Sequence, residues 1–216
     1  RYPLVTGVQT CALPISACVD HTDMAITEIV LNKRLPSLLQ SSCIVADTNL
    51  HADTLSWLME FCKKENIKLF IETVSIAKSQ KLKRDNLDGI FMLTPNEDEL
   101  FALTGLKGEE AAKSLLRKGV KHVWVKMGSS GSVLYYEDQC IQLSAPVVEP
   151  IDTTGAGDAT LAGFIYAHLH QKDIKTCMAY GHALAAGVLM QNGTVIETLN
   201  QTFIEQLKQH FYPDVP

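Results

Sequence analysis

From Cys43 to Met127, short runs of apolar and β-branched residues alternate with amphipathic stretches. This βαβα alternation restricts the chain to an α/β fold with a mostly parallel sheet covered by helices. Cys43 to Ala46 is the first expected strand, ending at Asp47. Between His51 and Asn66, the residues Leu55, Leu58, Met59 and Cys62 recur at i, i+3, i+4 and i+7, lining one face of a helix with apolar side chains. Lys68 to Ile71 and Gly89 to Leu93 read as further strands. Asn96, just after Thr94-Pro95, is a good N-cap for a helix running toward Gly105. A second helix spans Glu109 to Lys118. After the strand His122 to Met127, a turn at Gly128-Ser129-Ser130-Gly131 leads to strands at Ser132 to Tyr136 and Cys140 to Leu143, so the sheet is mixed at one edge.

The last third is helical, over Thr154 to His168, Ile174 to Met190 and Gln201 to Phe211. Ala179, Gly181, Ala183, Ala185, Ala186 and Gly187 let the middle helix pack closely on its neighbours. The 216 residues, 46% hydrophobic and 20% charged, suit one globular domain of ordinary size. A net charge of -5 argues against a chain built to coat nucleic acid or an anionic membrane. No apolar run reaches the ~18 residues that span a bilayer. The six cysteines are widely spaced with no CxxC pair, which points to neither a zinc framework nor a disulfide scaffold, and a reducing cytoplasmic setting is the expectation.

The segment that carries chemistry is Asp152-Thr153-Thr154-Gly155-Ala156-Gly157-Asp158, between an extended stretch ending at Pro150 and a strongly helical run. Its small residues sit at a helix N-terminus, where exposed N–H groups favour an anion. Gly155, Ala156 and Gly157 let a phosphate or a developing oxyanion approach the backbone. Asp158 follows at once, placed to accept a proton from a hydroxyl held against that cradle. Phosphoryl transfer needs this pairing of anion hole and base.

The string DTTGAGDATLAGF resembles the C-terminal signature of the PfkB, or ribokinase, family of carbohydrate kinases. The resemblance implies a ribokinase-like three-layer αβα sandwich with a mostly parallel sheet. It implies that Gly155, Ala156 and Gly157 form the anion hole and that Asp158 is the catalytic base. It further implies ATP and Mg²⁺ as cofactors and a small sugar or nucleoside as acceptor. Thr94-Pro95-Asn96-Glu97-Asp98-Glu99 resembles the family's Asn-x-x-Glu motif, which assigns Asn96 to the nucleotide phosphates and Glu99 to hydrated Mg²⁺. Taken alone, that segment reads equally as a capped acidic helix start. Lys126-Met127-Gly128-Ser129-Ser130-Gly131 resembles the turn lining the nucleotide side, with Lys126, Gly128 and Gly131 as contacts, although a plain turn explains it almost as well. Asp152 and Thr154 match positions that bind K⁺ in some members.

Within the family, Val45-Ala46-Asp47-Thr48-Asn49, Phe70 to Lys78, Met92 to Asn96, and Asp23-Met24 with Ile26-Thr27 are most similar to pseudouridine kinases, which phosphorylate a ribose 5'-hydroxyl with ATP. Glu72-Thr73 departs from the more usual Asp-Pro, and another sugar acceptor stays open. The resemblance covers 17–216 as the C-terminal part of such a kinase. Residues 5–15 (VTGVQTCALPI) match an in-frame translation of a sequencing adapter, so 1–16 is expected to be non-native. The family's N-terminal part, with its Gly-Gly segment, acceptor-gripping acid and lid, through which members often dimerise, has no counterpart here. A chain lacking lid and acceptor grip is expected to transfer phosphate poorly, and a nucleotide-binding or interaction protein on the same fold is the alternative.

Other classes are disfavoured. Neither the Gly-x-Gly-x-x-Gly of a dinucleotide fold nor the Gly-x-x-x-x-Gly-Lys-Ser/Thr of a P-loop is present. His168 and His170, two positions apart on a helix, splay by about 200° and make a poor metal pair. Lys78, Lys81, Lys83 and Arg84 read as a solvated helix face, with phosphate contact the alternative. Asp47 and Asn49 suit either a turn or a ligand at a strand end.

Overall fold

The computed structural model describes residues 25–216. The non-native segment expected over 1–16 and the Asp23-Met24 match lie outside them. The described residues form two compact units, one closing at Gln142 and one running from Leu143 to Pro216.

In the first unit the spatial order of the strands is their chain order: β1 (Cys43–Asp47), β2 (Lys68–Glu72), β3 (Ile90–Leu93), β4 (His122–Lys126), β5 (Ser132–Tyr136) and β6 (Gln139–Leu143). β1 to β4 pair in parallel and β5 turns back antiparallel on β4, giving the mixed edge the sequence implies. The helices α1 (Glu28–Asn32) and α2 (Leu35–Leu39) precede β1, and α3 (Ala52–Glu65), α4 (Ile76–Ser79), α5 (Glu97–Thr104) and α6 (Gly108–Arg117) lie between strands. A right-handed crossover between neighbouring parallel strands returns each connecting helix to the same face. One apolar core accordingly joins Leu55, Leu58, Leu100, Leu103 and Leu115 of these helices to Leu69, Ile71, Val123 and Val125 of the strands. Phe70 and Trp124 occupy alternate positions, point the other way and are fully buried too.

Local chemistry sets the boundaries. The ring of His51 accepts from the Asp53 amide to start α3, and Asn66, with φ 54°, ends it in the left-handed region. The expected stripe Leu55, Leu58, Met59 and Cys62 is buried. α1, α2 and α4, of four or five residues each, are too short to show a 3.6-residue period in the sequence. The Gly128-to-Gly131 turn takes the form of a 3₁₀ turn over Gly128–Ser130.

The second unit holds α7 (Ala156–Leu169), α8 (Ile174–Leu189) and α9 (Gln201–Phe211). Asp173 caps α8 through the Thr176 amide and hydroxyl. Residues Thr176 to Val188 of α8 are all buried, which the run of small residues makes sterically possible. Its Ala183, Leu184 and Val188 form a core with Ala159, Ile196 and Leu207.

His182, on α8, is buried with Nδ1 2.9 Å from the Tyr212 hydroxyl and 3.4 Å from the Ser144 carbonyl. Burial lowers its pKa to about 4. A folded pKa below the unfolded value of about 6.5 means that the unfolded chain takes up the proton first as pH falls. Stability is therefore fully present above about pH 6.5 and declines toward pH 4, by about 3 kcal/mol from this residue. His122, lowered chiefly by burial, acts with the same sign. In urea unfolding at a series of pH values, His182→Gln is expected to flatten the decline over this window; equal slopes for variant and parent would reject the assignment.

Candidate active site

The C-terminal ends of parallel strands are where open α/β sheets gather functional groups. In the first unit, the ends of β2, β3 and β4 and the start of α5 carry one connected polar network. Lys126 Nζ donates to both oxygens of Glu72, at 2.7 and 2.8 Å. The Thr94 hydroxyl donates to Glu72 Oε2 at 2.5 Å. The Thr73 hydroxyl donates to Glu99 Oε2 at 2.5 Å, and the Asn96 amide reaches the same oxygen at 2.9 Å. The Asn96 side chain accepts from the Glu99 amide, completing a capping box at the N-terminus of α5. Thr73, Thr94 and Glu99 are buried. Asn96, Glu99 and Lys126 are thus brought together, and the backbone of Lys126 bridges to Asn96. Gly128 and Gly131 follow directly in the 3₁₀ turn, with φ 55° and 99°.

The chemistry-bearing loop lies in the second unit. The Asp152 carboxylate accepts from the Thr154 amide at 2.8 Å. Hydrogen bonds from the Thr154 side chain and amide, and from the Gly193 amide, hold its pKa below the usual carboxylate range. Gly155 is the N-cap of α7 with φ 81°, and it offers no side chain to cap the helix. A Cβ at Gly155 would lie 2.9 Å from the Thr194 carbonyl oxygen, so the left-handed turn and the close approach both require glycine. α7 begins at Ala156, two residues later than the sequence suggests, because Gly155 makes the turn into it. Gly157 and exposed Asp158 fall in its first turn, so the anion-hole residues and the base candidate share one helix start.

The basic segment differs in part from its sequence reading. Lys81 Nζ donates to the carbonyls of Thr48, Asn49 and Leu50 at 2.8, 3.0 and 2.8 Å. Arg84 donates to Ala52, Lys81 and Ser56, and Lys78 to the side chain of Asn49. Lys81 and Arg84 thus tie down the loop after β1, whereas Lys78 and Lys83 are exposed as the solvated reading expects. Asp47 accepts from the amide and side chain of Asn49, which gives the pair a turn role. Sequence reasoning missed Glu72, Thr73 and Thr94 as network members; the one signal was the Glu72-Thr73 departure from the family pattern.

The architecture is the ribokinase-like α/β fold. A ribokinase from Arabidopsis thaliana, solved in complex with ribose and ATP, superposes with a TM-score of 0.72 at 25% identity, covering 82% of this chain and 59% of that one. Residues 25–201 match the pfkB family of carbohydrate kinases, and the chain belongs to that family. A curated Arabidopsis thaliana ribokinase is 38% identical over 117 residues, covering 50% of this chain and 31% of the relative. A ribokinase from Haemophilus influenzae is 26% identical over 174 residues, covering 78% of this chain and 56% of the relative. The chain therefore spans between 31% and 56% of these two relatives. Among the described residues no helix is long and apolar enough to cross a membrane.

Proposed function

We propose that this chain carries the nucleotide-facing and base-bearing part of a kinase that moves the terminal phosphoryl group of ATP to a hydroxyl of a sugar or nucleoside. The observation that carries the reading is the helix start at Gly155 to Asp158, a glycine turn with no side-chain cap followed within one turn by a carboxylate. Asp158 takes the acceptor's hydroxyl proton as that oxygen attacks the terminal phosphorus. The bond to the bridging oxygen breaks, ADP leaves, and the N–H groups of Gly155, Ala156 and Gly157 face the charge on the transferring group.

Mg²⁺ fits the residues present only in a particular way. Among the described residues no three His, Cys, Asp or Glu gather into a metal cage, and Glu99 is already engaged by neutral donors. Glu99 would hold a water of such an ion, whose other ligands would come mainly from the phosphates. When bound, such an ion offsets phosphate charge. The low pKa of Asp152 keeps an ionised oxygen beside Thr154, which suits a monovalent cation such as K⁺.

Pseudouridine is the acceptor we propose, supported by the stretches around Asp47, Phe70 to Lys78 and Asn96. The test combines calorimetric titration of MgATP with ADP release in the presence of pseudouridine, uridine, ribose or deoxyribose. Nucleotide binding with release stimulated most by pseudouridine is the expected result. Binding without any acceptor-dependent release would favour a nucleotide-binding protein, and absence of both would overturn the kinase reading.

A further inference from the structure

The ammonium of Lys126 is matched before any ligand arrives. Both Glu72 oxygens accept from it, the side chains of Lys126 and Glu72 being only 20% and 13% exposed, and Thr94 fixes the carboxylate from a second side. The neighbouring carboxylate, Glu99, is held by the Thr73 hydroxyl and the Asn96 amide, which carry no formal charge. Asp47 pairs in register with Glu72 across β1 and β2, and Lys81 is spent on three carbonyls. A bare polyphosphate arriving at this sheet end meets a neutralised lysine and two further acids, whereas a polyphosphate carrying a divalent cation meets carboxylates that attract its metal.

We propose that Glu72 is a specificity-determining residue that makes polyphosphate binding at Lys126 conditional on a divalent cation, an inference that rests on the nucleotide reading of Lys126 above. Glu72 keeps the ammonium occupied, and the metal complex gains from the acids what the free anion loses to them. Removing the charge at residue 72 while keeping its shape frees the ammonium for phosphate. Glu72→Gln suits this purpose because its amide oxygen still accepts from Thr94, while its amide nitrogen cannot accept from Lys126 as the second carboxylate oxygen does.

The experiment measures ATP affinity with Mg²⁺ and with EDTA for the parent, Glu72→Gln, Glu72→Asp and the double variant Glu72→Gln/Lys126→Gln. In the parent, the metal complex is expected to bind far better than free ATP. In Glu72→Gln that preference is expected to shrink about tenfold through tighter metal-free binding, one charge-assisted hydrogen bond being worth about that factor. Glu72→Asp keeps the charge and the preference, and the double variant loses the gain. An unchanged preference in Glu72→Gln overturns the proposal. So does weaker binding of the metal complex with no metal-free gain, which would make Glu72 a metal ligand. Metal-free tripolyphosphate serves as a second probe. If the parent binds no ATP in either condition, the nucleotide reading fails. A tripolyphosphate gain in Glu72→Gln that vanishes in the double variant still upholds the role of Glu72, and its absence removes it.

Discussion

In a chain extended to the length of its relatives, Asp158→Asn is expected to lower phosphoryl transfer by roughly two to four orders of magnitude, the usual contribution of a positioned general base. Asn matches Asp in size but cannot take the hydroxyl proton. Because Asp158 sits in the first turn of α7, loss of its charge also removes a favourable interaction with the helix dipole, worth at most about 1 kcal/mol at an exposed position. MgATP affinity should stay close to that of the parent. The measurement is acceptor-dependent ADP release at saturating ATP, paired with urea unfolding. Equal turnover by variant and parent would remove Asp158 from the role of base, and a large fall in stability would make the loss of turnover uninformative about proton transfer.

Gly163→Ala is expected to destabilise the second unit, even though alanine is the better helix former. A Cβ at Gly163 would lie 2.5 Å from the Tyr180 carbonyl oxygen and 2.9 Å from the Gly181 Cα. Both are backbone atoms of α8, which cannot swing aside as a side chain does. Helix propensity favours alanine over glycine by about 1 kcal/mol, while overpacking of this kind costs about 1–3 kcal/mol. The contact is tight enough that the second effect wins, and Gly163→Val adds β-branching and more volume to it. Urea midpoints should fall in the order parent, Gly163→Ala, Gly163→Val. A higher midpoint for Gly163→Ala would show that α7 and α8 do not approach as closely as the structure has them.

What the sequence discloses and what it hides divide along physical lines. Asn96 and Glu99 could be read as a helix start because a capping box joins residues three apart, and the helix spans whose apolar residues recur regularly were placed to within a few residues. Gly155 was legible as a small residue before a helix, but its left-handed turn moved the start of α7 two residues later. Lys81 was misread as solvated because the carbonyls it holds lie 31 to 33 residues earlier in the chain, beyond any local pattern. Glu72 stood out only by differing from the family, and its partner Lys126 lies 54 residues away. Charge pairs made across strand ends leave no periodic trace in a sequence.

The identity of strand order and chain order also bears on how the sheet is made. In a doubly wound sheet an early strand must wait in the middle for a neighbour still to be synthesised. Here, each strand from β2 onward docks against the one made just before it. Contacts of short sequence separation close small loops, which favours rapid folding. Residues 43–142 can therefore be laid down stepwise as the chain leaves the ribosome, each crossover sealed before the next begins. The Glu72–Lys126 pair must wait until β4 arrives, so the last lock on the sheet end closes only after three crossovers are in place.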